Sequence, residues 1–113
     1  MVGVLGQICA IIYFQYAGGT PEQATELSKA LQELGYVVPG QEQLQSAAGL
    51  AEVRYYYSED EESAKLLAQN VMAAAKQLGL AAGRQIRTAS HISWPRQKPA
   101  RGTLELWLDL SSS

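Results

Sequence analysis

The clearest pattern along the chain is a strict alternation near its end. Leu104, Leu106, Leu108 and Leu110 interleave with Thr103, Glu105, Trp107 and Asp109, the period of a strand with one buried face. Two earlier stretches share a different pattern, an aromatic strand followed by an amphipathic helix. Residues 8–16 form an apolar run rich in β-branched and aromatic residues, broken by Gly18-Gly19. Thr20, Pro21 and Gln23 then predict a capped helix start, and Ala24, Leu27, Leu31 and Leu34 recur at helical spacing before Gly35. The second stretch opens with Glu52-Val53-Arg54-Tyr55-Tyr56-Tyr57. Ser58 with Glu61 predicts a second capping box. Ala64, Leu67, Val71, Ala74 or Ala75, and Leu78 make the buried stripe, and Gly79 ends it.

Between these units, Tyr36-Val37-Val38 predicts a short strand ended by Pro39-Gly40, and residues 41–51 predict a loop. Residues 84–92 predict a weak strand or an extended loop, and residues 94–100 an irregular segment around Pro95 and Pro99. The order strand, helix, strand, strand, helix, strand predicts an α+β fold. The expected form is a ferredoxin-like βαββαβ sandwich, an antiparallel sheet of order 4-1-3-2 with both helices on one face. A length of 113 residues fits a single domain, 1–113, with a core from about 8 to 110 and residues 111–113 as a disordered tail.

Alternation assigns each strand residue to the helix-covered or the open face. The leucines of the last strand must face the helices, which leaves Glu105 and Trp107 open. The same argument opens Ile11, Tyr13 and Gln15 in the first strand and Glu52, Arg54 and Tyr56 in the third. It buries Ile12, Phe14, Tyr16, Val53, Tyr55 and Tyr57. With strands four, one and three as neighbours, Trp107, Tyr13 and Tyr56 would form an aromatic row beside Arg54, a candidate contact surface for a protein partner or a second copy of the chain.

Composition narrows the chemistry. The formal charge of −2 gives no global attraction for nucleic acid or anionic lipid. The charge is unevenly spread, however. Nine of the eleven acids lie between Glu22 and Glu62, whereas Arg84, Arg87, Arg96, Lys98 and Arg101 form an acid-free basic segment. That segment is the alternative site, suited to a small ligand or glycan. One cysteine, Cys9, excludes an internal disulfide and a cysteine-based zinc site. Residues 1–19 carry no charge, but Gln7, Gln15 and four glycines interrupt them and no positive segment precedes them. They are expected to enter a buried strand rather than a membrane.

His91, in Ser90-His91-Ile92-Ser93, stands without a nucleophile motif, so no catalytic residues are assigned and the chain is not expected to be an enzyme. The Glu59–Glu62 run suits a helix N-terminus and lacks the glycine and distal acid of a calcium loop. No cofactor or metal is expected. The glycine-rich basic strand of the RNA-recognition motif is absent, so a nucleic-acid partner is not expected either.

The segments Ala30-Leu31-Gln32-Glu33-Leu34-Gly35-Tyr36-Val37-Val38, Glu52 to Tyr57, and the Ser-capped helix with Ala64-Lys65-Leu66-Leu67-Ala68 give the chain a resemblance to small bacterial accessory domains. Over roughly residues 10–80 it resembles the LytR C-terminal type and, more loosely, the SPOR type. The resemblance implies a non-catalytic binding module within a larger protein of the cell envelope, with protein, glycan or peptidoglycan as partner. The first strand lacks the Asn-Gly turn of the LytR type, and no binding residue is carried over.

Overall fold

The computed structural model describes residues 10–80 and 85–111; Cys9 and Arg84 lie outside the described residues. Two helices and a five-stranded mixed sheet make an α+β fold. The elements are β1 (Ile11–Ala17), α1 (Pro21–Glu33), β2 (Gln41–Gln43), β3 (Ala51–Tyr55), α2 (Glu61–Gln77), β4 (Arg87–Ser90) and β5 (Thr103–Asp109).

Each helix connects two adjacent parallel strands. β1 leads through α1 to β2, and β3 leads through α2 to β4. The two βαβ units meet on β5, which runs parallel to β1 and antiparallel to β3. The sheet order is therefore β2-β1-β5-β3-β4, not the antiparallel 4-1-3-2 arrangement expected from the element order. The difference has a physical origin. Residues 87–90 form a full strand that completes the second crossover. The most regular apolar strand, β5, then takes the centre, where both of its edges are paired. Its three leucines are fully buried, and Leu110 just after it is 2% exposed.

Both helices cover the same face. Ala24, Leu27 and Leu31 of α1 and Ala64, Leu67 and Val71 of α2 join one core cluster with Ile12, Phe14, Val53 and the β5 leucines. The Thr20 capping box forms as predicted, with Thr20 Oγ1 accepting from the Gln23 amide and the Gln23 side chain accepting from the Thr20 amide.

The capping box at Ser58 does not form. Residues Ser58–Asp60 make a 3₁₀ turn, and α2 begins after Asp60 without a side-chain cap. The acidic run is spent elsewhere. Asp60 is buried and accepts from the Gly102 amide at 3.0 Å, Glu59 lies 3.5 Å from Arg101, and Glu61 and Glu62 flank Lys65.

The two halves also end their helices alike. The amide of Tyr36 bonds the Leu31 carbonyl and that of Leu80 bonds the Ala75 carbonyl, across Gly35 and Gly79 at φ 105° and 75°. This is the Schellman closure. It returns Tyr36 and Leu80 to the core and leaves Leu34 and Leu78, expected in the buried stripes, exposed.

Residues 37–44 follow β1 in two steps. Val37 pairs with Ile11 and Gln41 with Phe14. Four residues thus advance against three, a bulge at Pro39-Gly40 that splits the predicted strand at 36–38 from the unpredicted one at 41–43. Gln41 then points to the helix layer. Its amide nitrogen donates to Thr25 Oγ1, and its oxygen accepts from buried Ser28 Oγ, both at 2.9 Å.

Leu106→Ala, at the centre of the core, should cost about 2–5 kcal/mol in urea unfolding. Leu66→Ala, on the exposed side of α2, should stay within about 0.5 kcal/mol of wild type.

Candidate functional site

The helices leave one face of the sheet bare, and β5 runs down its middle. Register sets the neighbours. Glu105 lies between Tyr13 of β1 and Arg54 of β3, and Trp107 lies between Gln15 and Glu52. Beyond Glu52 stands Arg87 of β4. The expected row Trp107–Tyr13–Tyr56 is thus divided, because β5 separates β1 from β3. Tyr13 is on one flank, 45% exposed. It shares that flank with Ile11 and with Val37, which pairs with Ile11 and is 51% exposed. Tyr56 is on the other flank and is buried rather than exposed.

What buries Tyr56 is the turn after β4. The His91 amide donates to the Tyr55 carbonyl at 2.8 Å, and the Trp94 amide closes on the His91 carbonyl. The rings of His91 and Trp94 then lie 5.4 and 6.3 Å from that of Tyr56. Residues 91–94 therefore cover one end of the face and leave the β1 side open. Tyr57 leaves the core it was expected to join. Its hydroxyl donates to the Pro99 carbonyl at 2.8 Å, and Lys98 and Arg101 lie about 5 Å from its ring.

Two carboxylates organise the middle of the face. Glu105 Oε1 accepts from Tyr56 Oη at 3.0 Å and from Trp107 Nε1 at 2.9 Å. Glu52, itself buried, accepts from Arg54 Nε at 2.6 Å and Arg87 Nη2 at 2.8 Å. Arg54 in turn lies 4.2 Å from the centre of the Trp107 ring, a cation–π contact.

The protonation states follow from these contacts. Burial by itself would raise the Glu52 pKa, but the hydrogen bonds and charges of the two arginines outweigh it and hold the carboxyl below its ordinary value. Burial, reinforced by the Glu105 charge, pushes the Tyr56 phenol up to about 12. Across the neutral range Tyr56 remains a donor and Glu52 an anion.

Of the five cations expected to form a basic segment, Arg84 lies outside the described residues, Lys98 and Arg101 share the Tyr57 ring, and the described four divide among different partners. Arg87 belongs to the open face, Arg101 pairs with Glu59, and Arg96 lies 5.9 Å from the Trp94 ring. Among the described residues no group of three His, Cys, Asp or Glu is placed to hold a metal ion. No described helix is long and apolar enough to cross a membrane.

Sequence reasoning used Glu52 and Glu105 as markers of the open side but did not foresee them as organising centres. The available signal was the pairing of Glu52 with Arg54 two residues apart on one strand face. Comparison with protein-family models, curated proteins and solved structures finds no match for this chain.

The two groups predict opposite pH limbs. A carboxyl lowered in the folded state adds stability that is present above its unfolded value, about 4.3, and is lost as pH falls through the folded value. Glu52→Gln should therefore flatten the acid limb of a urea-unfolding series. A phenol raised in the folded state adds stability that is present below about pH 10 and lost as pH rises towards 12. Tyr56→Phe should remove that alkaline loss while costing about 1 kcal/mol at neutral pH through the lost hydrogen bond.

Proposed function

We propose that the chain is a non-catalytic interaction module that docks a protein surface on the open face of its sheet. The observation that carries this reading is the juxtaposition of an exposed apolar flank with a rigid polar centre. Tyr13 and Val37, each about half exposed, lie beside Ile11 on the helix-free side. Diagonally across from Tyr13, Trp107 is fixed on one edge by Glu105 and on one ring face by Arg54. A large aromatic anchor held by its neighbours contributes contact area at small entropic cost, which is the character of interface hot spots.

The ionisable groups of the centre support binding over catalysis. Glu105 and Glu52 each accept from two side chains of the same face. These bonds hold the platform together before any partner arrives. Tyr56 and Glu52 are moreover displaced away from neutral pH, in opposite directions. A general acid or base works best with a pKa near the operating pH.

A photo-reactive phenylalanine derivative at position 13 or 37, expressed in the cells that make this protein, should yield a discrete crosslinked product. The same group at Lys29, exposed on α1, should yield none. If positions 13 and 37 give no product and the purified chain stays monomeric in sedimentation up to millimolar concentration, the open face is not a docking surface.

A further inference from the structure

The two βαβ units are built alike but finished differently, and the difference opens a groove. In the first unit, Gln41 stands opposite core residue Phe14 and faces α1, where its side chain bonds Thr25 and Ser28. That link closes the space between the edge strand and its helix. In the second unit, Thr88 holds the equivalent position, opposite core residue Val53. Its short side chain makes no such link to α2. Between β4 and α2 there is instead an open cleft of about 330 Å³. Its helix wall is Lys65, Gln69 and Met72, at helical spacing along one stripe, and its strand wall includes Ile86, Arg87 and Thr88.

The strand wall also offers main-chain hydrogen bonds. β4 pairs with β3 on one side and with no described strand on the other. The His91 amide points to β3, since it donates to the Tyr55 carbonyl. Main-chain groups alternate in direction along a strand, so the amides and carbonyls of Arg87 and Ala89 also point to β3. Those of Thr88 and Ser90 point outward along the groove.

We infer that this groove takes an extended acidic segment of a protein partner as a sixth strand, hydrogen-bonded to Thr88 and Ser90. Strand addition draws affinity from main-chain bonds and specificity from pockets for alternate side chains. The floor suits apolar side chains, with Ala68 and Ile86 buried and Met72 half-buried. The rim suits carboxylates. Lys65 and Arg87 are its two charged lining residues, both cations, with side chains 52% and 69% exposed. Lys65 meets Glu61 and Glu62 only at 3.7 and 3.6 Å, and Arg87 commits Nη2 alone to Glu52. The Lys65 pairs are exposed on both sides and weak, so Lys65 can turn to an incoming acid, while Arg87 keeps Nη2 on buried Glu52 and has its other donors to offer. This site shares Arg87 with the open face and is otherwise separate from it.

The test uses the full chain and a fluorescent eight-residue peptide of alternating glutamate and valine, with an alternating lysine–valine peptide as comparator. The acidic peptide should bind at low salt. It should shift the amide resonances of Thr88 and Ser90 and slow their hydrogen exchange, while those of Tyr13 and Val37 stay unchanged. Lys65→Gln with Arg87→Gln should weaken binding about tenfold, as two exposed pairs of ordinary strength imply.

Thr88→Pro should keep the fold, because the amide it removes points outward, and should abolish binding. Ala89→Pro should destabilise the sheet, because its amide pairs with β3. Four results would each overturn the inference: no binding at millimolar peptide, equal binding of the lysine peptide, shifts confined to the open face, or concentration-dependent protection of Thr88 and Ser90 without peptide. The last would assign the groove to a second copy of the chain.

Discussion

The structure depends on the pairing of β5 with both β1 and β3. Without that strand the chain is two βαβ units, each with a two-stranded sheet and one helix, and neither can cover its own apolar face. Leu104, Leu106 and Leu108 fill the space between Ile12, Phe14 and Tyr16 on one side and Val53 and Tyr55 on the other. Because β5 comes last in sequence, its pairing with β1 closes a loop of some ninety residues. Such closure costs entropy that local contacts do not repay. The core is therefore completed by the segment furthest in sequence from the strand it joins.

The same insertion determines what the open face can be. A strand buried on one side by leucines must present its other side chains to the bare face, and in β5 these are Thr103, Glu105, Trp107 and Asp109. An unpaired carboxylate at the middle of a sheet is costly unless donors reach it. Here the donors come from both directions. Tyr56 arrives from beyond the end of β3, and Trp107 from two residues along β5 itself. Glu52 gains its arginines in the same way, one from its own strand and one from β4. The polar centre is first a solution to the problem of paving a sheet face. Its rigidity is a consequence, and the exposed Tyr13 gains a fixed neighbour from it.

Both helices, the faces of β1, β3 and β5, and the α+β class were legible in the sequence, because each rests on local periodicity or a cap. Strand neighbours were not legible. The alternation of four leucines states which side of β5 is buried but not which strands flank it, and that choice placed Tyr13 and Tyr56 on opposite flanks. Tyr57 and Ser58 were misread for a related reason. Strand pairing ends at Tyr55, and the 3₁₀ turn that follows redirects both residues, with Pro99 holding the Tyr57 hydroxyl. The 41–43 strand was hidden by its polarity. Gln41 reads as a loop residue until Thr25 and Ser28 are seen to satisfy it.

That glutamine separates the two halves more sharply than any difference in their helices. Edge strands must be short, charged or covered if they are not to recruit another chain. β2 meets the requirement by being three residues long, broken by the Pro39-Gly40 bulge and tied to its helix through Gln41. β4 is one residue longer, has no bulge within its four paired residues and borders an open cleft against α2. Its remaining safeguard is Arg87, and a single cation selects among strands more than it repels them. The near-duplicate halves thus protect one edge by side-chain linkage and leave the other guarded by charge alone. An edge guarded in that way is open to a partner of opposite sign.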